Sequence, residues 1–107
     1  MTNWNTPKTR DLFATILRLR TMCETQNFFR DLLTEEELLE FSRRWQAAKM
    51  LNQKVPYTKI VEVTGLSSTT VARVQRWLTG KLGGYRLMLN RLGHHAPTSS
   101  NPRLKVA

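Results

Sequence analysis

Two arginines and a group of hydroxyl side chains share one face of a short amphipathic segment near the middle of the chain. Arg73 and Arg76 are three residues apart, so a helix would place them side by side. A guanidinium group can donate paired hydrogen bonds to guanine or bind a phosphate, and small hydroxylated residues suit close approach to either target. The predicted outer face therefore carries the chemistry of nucleic-acid binding, and it consists of Ser68, Thr69, Ala72, Arg73 and Arg76.

Two helices joined by a tight turn, at about residues 56–78, are predicted to hold this face outwards. Ile60 and Val63 are expected to form the buried stripe of the first helix. Gly65 follows where that helix would end, because glycine adopts the left-handed cap conformation without a steric penalty. Leu66 is then expected to fill the corner between the helices.

The second helix is predicted to start at a capping serine, either Ser67 or Ser68, and to bury the face opposite the arginines. Its apolar positions recur at three- and four-residue steps and are Val71, Val74 and Leu78. Apolar residues before the glycine, and again six and nine residues after it, have the spacing of a DNA-binding helix-turn-helix. Val61 stands where such motifs usually carry a small residue, which predicts a slightly wider helix crossing. An ordinary helical hairpin with a solvated polar face is the alternative.

The distribution of charge favours a polyanionic partner. Residues 1–62 carry ten basic and eight acidic side chains, whereas residues 63–107 carry seven basic side chains and no acidic one. The second of these stretches begins inside the two-helix segment. Because it has basic side chains and no carboxylate, it is expected to attract nucleic acid. A basic solubilising tail would explain only part of this excess, since five basic residues precede the tail: Arg73, Arg76, Lys81, Arg86 and Arg91.

Cysteine and histidine usage gives no support for catalysis or a metal site. Cys23 is the only cysteine, so the chain has no internal disulfide, and its apolar helix face predicts a buried, unreactive thiol. His94 and His95 are adjacent, without a nearby carboxylate, and are interpreted as a surface pair. No apolar run approaches the roughly 18 residues of a membrane span, and no secretory signal is present. We therefore expect a cytoplasmic protein that is not an enzyme and has no membrane partner.

The first third of the chain predicts a long N-terminal helix and a short apolar segment. Thr6 and Pro7 form a helix start, and the apolar periodicity continues to about residue 23. This face is broader than one small core usually needs, so it is expected to bury either in its own domain or against a second chain. A separate short segment over residues 26–32 follows.

Further along, the pattern predicts a central helix, a last helix and a tail. Thr34 and Glu37 form a capping box that opens the central helix. Its apolar stripe is Leu38, Phe41, Trp45, Ala48 and Leu51. A last helix is expected at 85–92, and residues 93–107 are expected to form a disordered basic tail. Together these elements predict an all-α fold of about six helices in one domain, residues 1–92.

Three stretches of the sequence together resemble the Trp-repressor superfamily, and its small stand-alone Trp-repressor-related branch most of all. They are LLTEEELLEFSRRWQAAKML, YTKIVEVTGLSSTTVARVQRWL and GGYRLMLNRL. The resemblance implies an intertwined all-helical homodimer whose N-terminal and C-terminal helices interlock between chains. Its two helix-turn-helix units would then enter successive major grooves, about one helical turn apart, on a roughly palindromic site.

The resemblance also implies a pocket in which the namesake repressor holds L-tryptophan. Thr34, Arg44, Thr70 and Arg73 match its contacts in position and type. Val74 replaces the glycine that gives the indole room, and Trp77 replaces the serine that helps to hold the amino group. A β-branched side chain occupies space that an indole needs, and Trp77 is itself able to fill the pocket. We therefore expect no cofactor, and no control by L-tryptophan.

The sequence thus predicts a dimeric regulator, most simply a repressor, that binds double-stranded DNA sequence-specifically. The predicted DNA contacts are Thr58, Lys59, Ser67, Ser68, Thr69, Thr70, Arg73, Arg76 and Lys81, with Arg86 as a further phosphate contact. Two alternatives stay open. One is a protein-interaction module whose helix-turn-helix docks a partner helix, and the other is an architectural binder without sequence preference.

Overall fold

Six α-helices make up the secondary structure of residues 3–93, which are the residues that the computed structural model describes. They are α1 (Pro7–Ile16), α2 (Met22–Leu32), α3 (Glu35–Asn52), α4 (Tyr57–Thr64), α5 (Ser68–Leu78) and α6 (Gly84–Arg91). No strand occurs in this range, so the predicted all-α fold and the number of helices are confirmed. The predicted tail beyond Gly93, with its two histidines, lies outside the described residues.

Side-chain caps explain where the first and third helices begin. Thr6 caps α1, because its hydroxyl accepts a hydrogen bond from the Thr9 amide at 3.2 Å. At the start of α3 the Thr34 hydroxyl accepts from the Glu37 amide at 3.1 Å, and a Glu37 carboxylate oxygen accepts from the Thr34 amide at 2.9 Å. The predicted capping box is therefore present, and it satisfies two amides that have no partner inside the helix.

The prediction of one N-terminal helix through residue 23 is wrong. The chain leaves helical geometry after Ile16, and α2 begins at Met22, so that residues 26–32 belong to this second helix. The Thr21 hydroxyl accepts from the Glu24 amide at 3.0 Å, which caps α2. The sequence T-x-x-E at 21–24 is itself a helix-start signal, which the continuous apolar periodicity obscured. Cys23, in the first turn of α2, is exposed and not buried.

The chain forms two compact units, the first ending at Leu38 and the second starting at Leu39. In the first unit, neither α1 nor α2 buries a residue fully. Trp4 and Phe13 make an edge-on ring contact at 6.3 Å, but Leu17 remains 84% exposed. The broad apolar face of the N-terminal segment therefore has no core of its own within this unit. The extent of a single domain over residues 1–92 stays a prediction.

The hydrophobic core lies in the second unit. It consists of Ala47, Ala48, Leu51, Ile60, Leu66, Val71, Val74, Leu78 and Leu89. These residues come from the C-terminal half of α3 and from α4, the turn, α5 and α6, so the core holds the helix-turn-helix against its two flanking helices. Burial at Val71, Val74 and Leu78 agrees with the predicted inner face of α5.

The predicted inner stripe of α4 is half wrong. Ile60 is fully buried, but Val63 is 46% exposed, and Thr64 is the second buried residue of this helix. The Thr64 hydroxyl is satisfied there, because it donates to the Ile60 carbonyl at 2.7 Å and accepts from the Leu66 amide at 3.2 Å. Thr64, four residues after Ile60, is thus buried, whereas the apolar pattern predicted burial of Val63, three residues after Ile60.

Two other apolar stripes are also less buried than the sequence suggested. Phe41 of α3 is exposed, and Trp45 is only partly buried. In α6 Leu89 is buried, whereas Leu87 and Met88 are exposed, as is Leu92 just after the helix. Among residues 3–93, no helix is both long and apolar enough to span a membrane.

Replacing Gly65 with alanine is expected to lower the free energy of unfolding by about 1–2 kcal/mol, since a Cβ is strained in the left-handed region. Gly65 has φ of +78°, and no atom lies within 4 Å of the position where a Cβ would sit, so the cost is conformational and not a clash. Urea unfolding at fixed protein concentration measures it. Gly84→Ala is the matched control, because the space around that position is also open while its φ is not positive. An equal loss in both variants would contradict the argument.

Candidate DNA-binding interface

The turn between α4 and α5 is held by a chain of local hydrogen bonds. The Gly65 amide donates to the Val61 carbonyl at 2.9 Å, and Leu66, buried at the corner, packs into the core. The Ser67 hydroxyl then accepts from the Thr70 amide at 3.1 Å and caps α5. Three residues therefore separate the end of α4 from the start of α5, which has its inner face in the core and its opposite face towards solvent.

The outer face of α5 presents the residues that the sequence predicted there. Ser68, Thr69, Ala72, Arg73 and Arg76 are all exposed. The two arginines lie one turn apart on a helix that carries no acidic residue. This face can accept a phosphate backbone or the edges of bases without first breaking an ion pair within its own helix. The individual DNA contacts of these side chains stay predictions.

The side-chain hydroxyls of Ser67 and Thr70 make hydrogen bonds at the start of α5. Their hydroxyl oxygens lie 3.0 Å apart, within hydrogen-bonding distance, and Thr70 is partly buried. Both hydroxyls thus help to shape the start of α5. Ser68 and Thr69 are exposed and offer the hydroxyls better placed to approach DNA.

Helix α4 contributes Thr58 and Lys59, both exposed, and also an acidic residue that the sequence analysis did not weigh. The Lys59 ammonium nitrogen lies 3.5 Å from a carboxylate oxygen of Glu62, one turn along the helix. The i, i+3 spacing was visible in the sequence and would have indicated this pair. Glu62 partly neutralises one of the predicted phosphate contacts.

Replacing Glu62 with glutamine is expected to raise the affinity for DNA of any sequence by about two- to fivefold, as expected for the removal of one exposed ion-pair charge. Lys59 would then be available to phosphate, and the salt dependence of binding should become steeper. Fluorescence anisotropy across a salt series measures both effects. Glu36→Gln removes the same charge from the start of α3 and is the control. Equal gains in the two variants would show an effect of net charge alone.

The two basic residues that follow α5 differ in their surroundings. Lys81 is exposed in the connection to α6. Arg86, which the sequence analysis also assigned to phosphate, is partly buried and donates from Nη1 to the Asn52 side-chain oxygen at 2.7 Å. The structure thus directs one end of this guanidinium into the protein.

The residues of the predicted effector pocket lie in different settings. Thr34 belongs to the first unit, where it caps α3. In the second unit, Arg44 lies 3.3 Å from the Glu40 carboxylate, with its guanidinium carbon 5.8 Å from the centre of the Phe41 ring. Val74 packs in the hydrophobic core.

Trp77 is 51% exposed and lines a shallow apolar groove in the second unit. The groove has a volume of about 450 Å³, and its other lining residues are Trp45, Leu82, Gly84, Tyr85 and Met88. The Trp45 and Tyr85 rings stack with their centres 6.2 Å apart. Burial raises the pKa of the Tyr85 hydroxyl above its ordinary value, and the nearby Arg44 guanidinium opposes this in part, so Tyr85 is neutral at physiological pH.

The chain is all-α, and its core holds two helices that are joined by a turn at Gly65, the second of them basic and exposed on its outer face. This arrangement defines a helix-turn-helix protein. The family model for Trp repressor protein matches residues 8–93. The chain belongs to the Trp repressor family. Members of that family are DNA-binding regulators and not enzymes, which confirms the prediction of a non-enzymatic protein.

Relatives from three bacteria support this assignment. The uncharacterised protein YerC of Bacillus subtilis (strain 168) is 36% identical over 90 residues, which are 84% of this chain and 86% of YerC. A TrpR-like protein from Eubacterium eligens ATCC 27750 superposes with a TM-score of 0.78 at 39% identity, covering 85% of this chain and 94% of that one. A crystal structure of a protein from Staphylococcus aureus superposes with a TM-score of 0.79 at 34% identity. The match covers 86% of this chain and 92% of that one. The resemblance drawn from the sequence is confirmed.

Proposed function

We propose that the protein is a sequence-specific transcriptional regulator, acting as a repressor, that binds double-stranded DNA in the major groove through α5. The observation that carries this proposal is the exposed basic face of α5, held outwards by a core that buries its opposite face. A recognition helix needs both properties, since it must be rigid and must leave one side open to the groove. The charge distribution beyond residue 62 supports the same partner.

The active form in this proposal is a homodimer. Helices α1 and α2 bury no residue fully, and large apolar side chains stay exposed in them and in the connection between them, including Phe13, Leu17 and Met22. Apolar surface of this kind is expected to be covered by another chain. A dimer with twofold symmetry also requires a palindromic site, with half-sites about one helical turn apart.

Regulation by L-tryptophan is not part of the proposal. An indole would have to displace Val74, which is packed between the other core residues. Arg44 already has Glu40 and the Phe41 ring as partners within its own helix. The proposed regulator therefore binds its site without a corepressor, in the cytoplasm, on the bacterial nucleoid.

Selection from a pool of random DNA duplexes, at near-physiological salt and without added tryptophan, tests this function. The expected result is enrichment of a palindrome whose half-sites lie about 10 base pairs apart. Retention of DNA without enrichment would favour the architectural binder, for which the excess of positive charge alone suffices. No retention of DNA, with or without L-tryptophan, would overturn DNA binding and favour the protein-interaction module.

A further inference from the structure

A charged hydrogen bond joins the last residue of α3 to the first turn of α6. Arg86 Nη1 donates to Asn52 Oδ1 at 2.7 Å, between residues that are 34 positions apart in the chain. Asn52 is only 4% exposed, and Arg86 is partly buried. A short bond from a cation to a buried amide oxygen is directional and is stronger than one between neutral groups.

The 34-residue interval encloses the complete helix-turn-helix. It contains the connection after α3, then α4, the turn, α5 and the connection to α6. The bond therefore closes a loop around the recognition helix, with one end at the entry of the motif and the other just after its exit. Helix α5 packs directly against both α4 and α6, so the orientation of α6 contributes to that of the recognition helix.

The backbone between α5 and α6 does not fix this orientation by itself. The connection runs over residues 79–83 and includes Gly80 and Gly83, of which Gly83 has φ of +73°. Leu89 anchors α6 in the core, and the Tyr85 ring stacks on Trp45 of α3, but neither apolar contact is directional in the way that a hydrogen bond is. The Arg86–Asn52 bond adds a directional point of attachment to these apolar contacts.

We propose that Arg86 is a positioning residue for sequence recognition, acting through Asn52, and that it does not serve as a phosphate contact. By fixing α6 against the end of α3, the bond holds α5 at the angle at which its outer face matches the edges of the bases. This inference rests on the proposed function, since it specifies how the helix-turn-helix achieves sequence preference.

Arg86→Lys tests the proposal directly, because it keeps the charge and removes the planar donor that reaches Asn52. The expected result is a loss of about tenfold or more in affinity for the selected palindrome, as for a charged hydrogen bond, with binding to a scrambled duplex unchanged. The slope of log affinity against log salt should stay the same on the scrambled duplex. Asn52→Ala, which removes no charge, should give the same loss of discrimination. Asn52→Asp keeps the acceptor oxygens and should retain discrimination.

A double-mutant cycle separates this role from general destabilisation. The Arg86→Lys/Asn52→Ala protein should lose no more discrimination than the more severely affected single variant. Circular dichroism at the temperature of the binding assay checks that every variant is folded. Arg91→Lys is the matched control on the same helix, and it should leave discrimination unchanged.

Three results would overturn the proposal, and they are distinguishable from one another. Full discrimination by folded Arg86→Lys would show that the bond positions nothing. An Arg86→Met variant that binds all sequences more weakly, with a slope smaller by about 0.9, would identify a phosphate contact instead. If the unaltered protein enriches no sequence, the proposed function fails, and this inference fails with it.

Discussion

Arg76→Ala is expected to relax the DNA sequence preference of the protein, with a cost of about 1–3 kcal/mol on the selected site and little on others. Arg76 is exposed in the last turn of α5, on the same face as Arg73 and opposite the buried valines. A guanidinium at this place can bond to a guanine edge through two parallel hydrogen bonds, which no other base reproduces. Repeating the selection with the variant, and comparing the information content at each position, measures the effect.

Lys81→Ala is the matched comparison for Arg76→Ala, since it removes a predicted phosphate contact and not a predicted base contact. Lys81 is exposed beyond the end of α5, where an ammonium group can bind a phosphate but not a defined base edge. Its removal should weaken binding to all sequences alike and reduce the salt slope by about 0.9. If Arg76→Ala and Lys81→Ala behave identically, the assignment of base and phosphate contacts between them is wrong.

Ile60→Ala is expected to destabilise the fold by about 2–5 kcal/mol, which is the usual cost of removing a fully buried isoleucine side chain beyond Cβ. Ile60 has no exposed surface and lies in the core that joins α3, α4, α5 and α6. The cavity would loosen α4 first, so DNA binding should be lost at temperatures below the unfolding of α3. Urea unfolding, together with binding measured across temperature, tests both parts.

Val63→Ala is the control. Val63 lies in the same helix, three residues after Ile60, but 46% of its surface is exposed. Its cost should be within about 0.5 kcal/mol, as for other surface substitutions. Val71→Ala removes the same atoms from a fully buried valine and should be clearly more destabilising than Val63→Ala. Similar costs at positions 63 and 71 would contradict the burial that the structure shows.

The helix ends and the family could be predicted because both depend on local sequence. Thr34 and Glu37, Gly65, and Ser67 each form a cap within three or four residues of their partner, so the residue types and their spacing suffice. The break before α2 is equally local, since Thr21 caps that helix through the Glu24 amide, but the apolar periodicity continues across the break and conceals it. At this position the capping signal, and not the periodicity, identifies the helix boundary.

By itself, then, the sequence determined an all-helical protein with a helix-turn-helix, a basic C-terminal half and the face of α5 that is exposed. The tertiary structure alone decided that Thr64 and not Val63 is buried, since both positions fit a short amphipathic helix and only its packing against the core distinguishes them. It also decided that Arg86 bonds to Asn52, because no local pattern connects residues 34 apart. Local sequence specifies which groups can cap or line a helix, but the packing of helices specifies which distant groups meet.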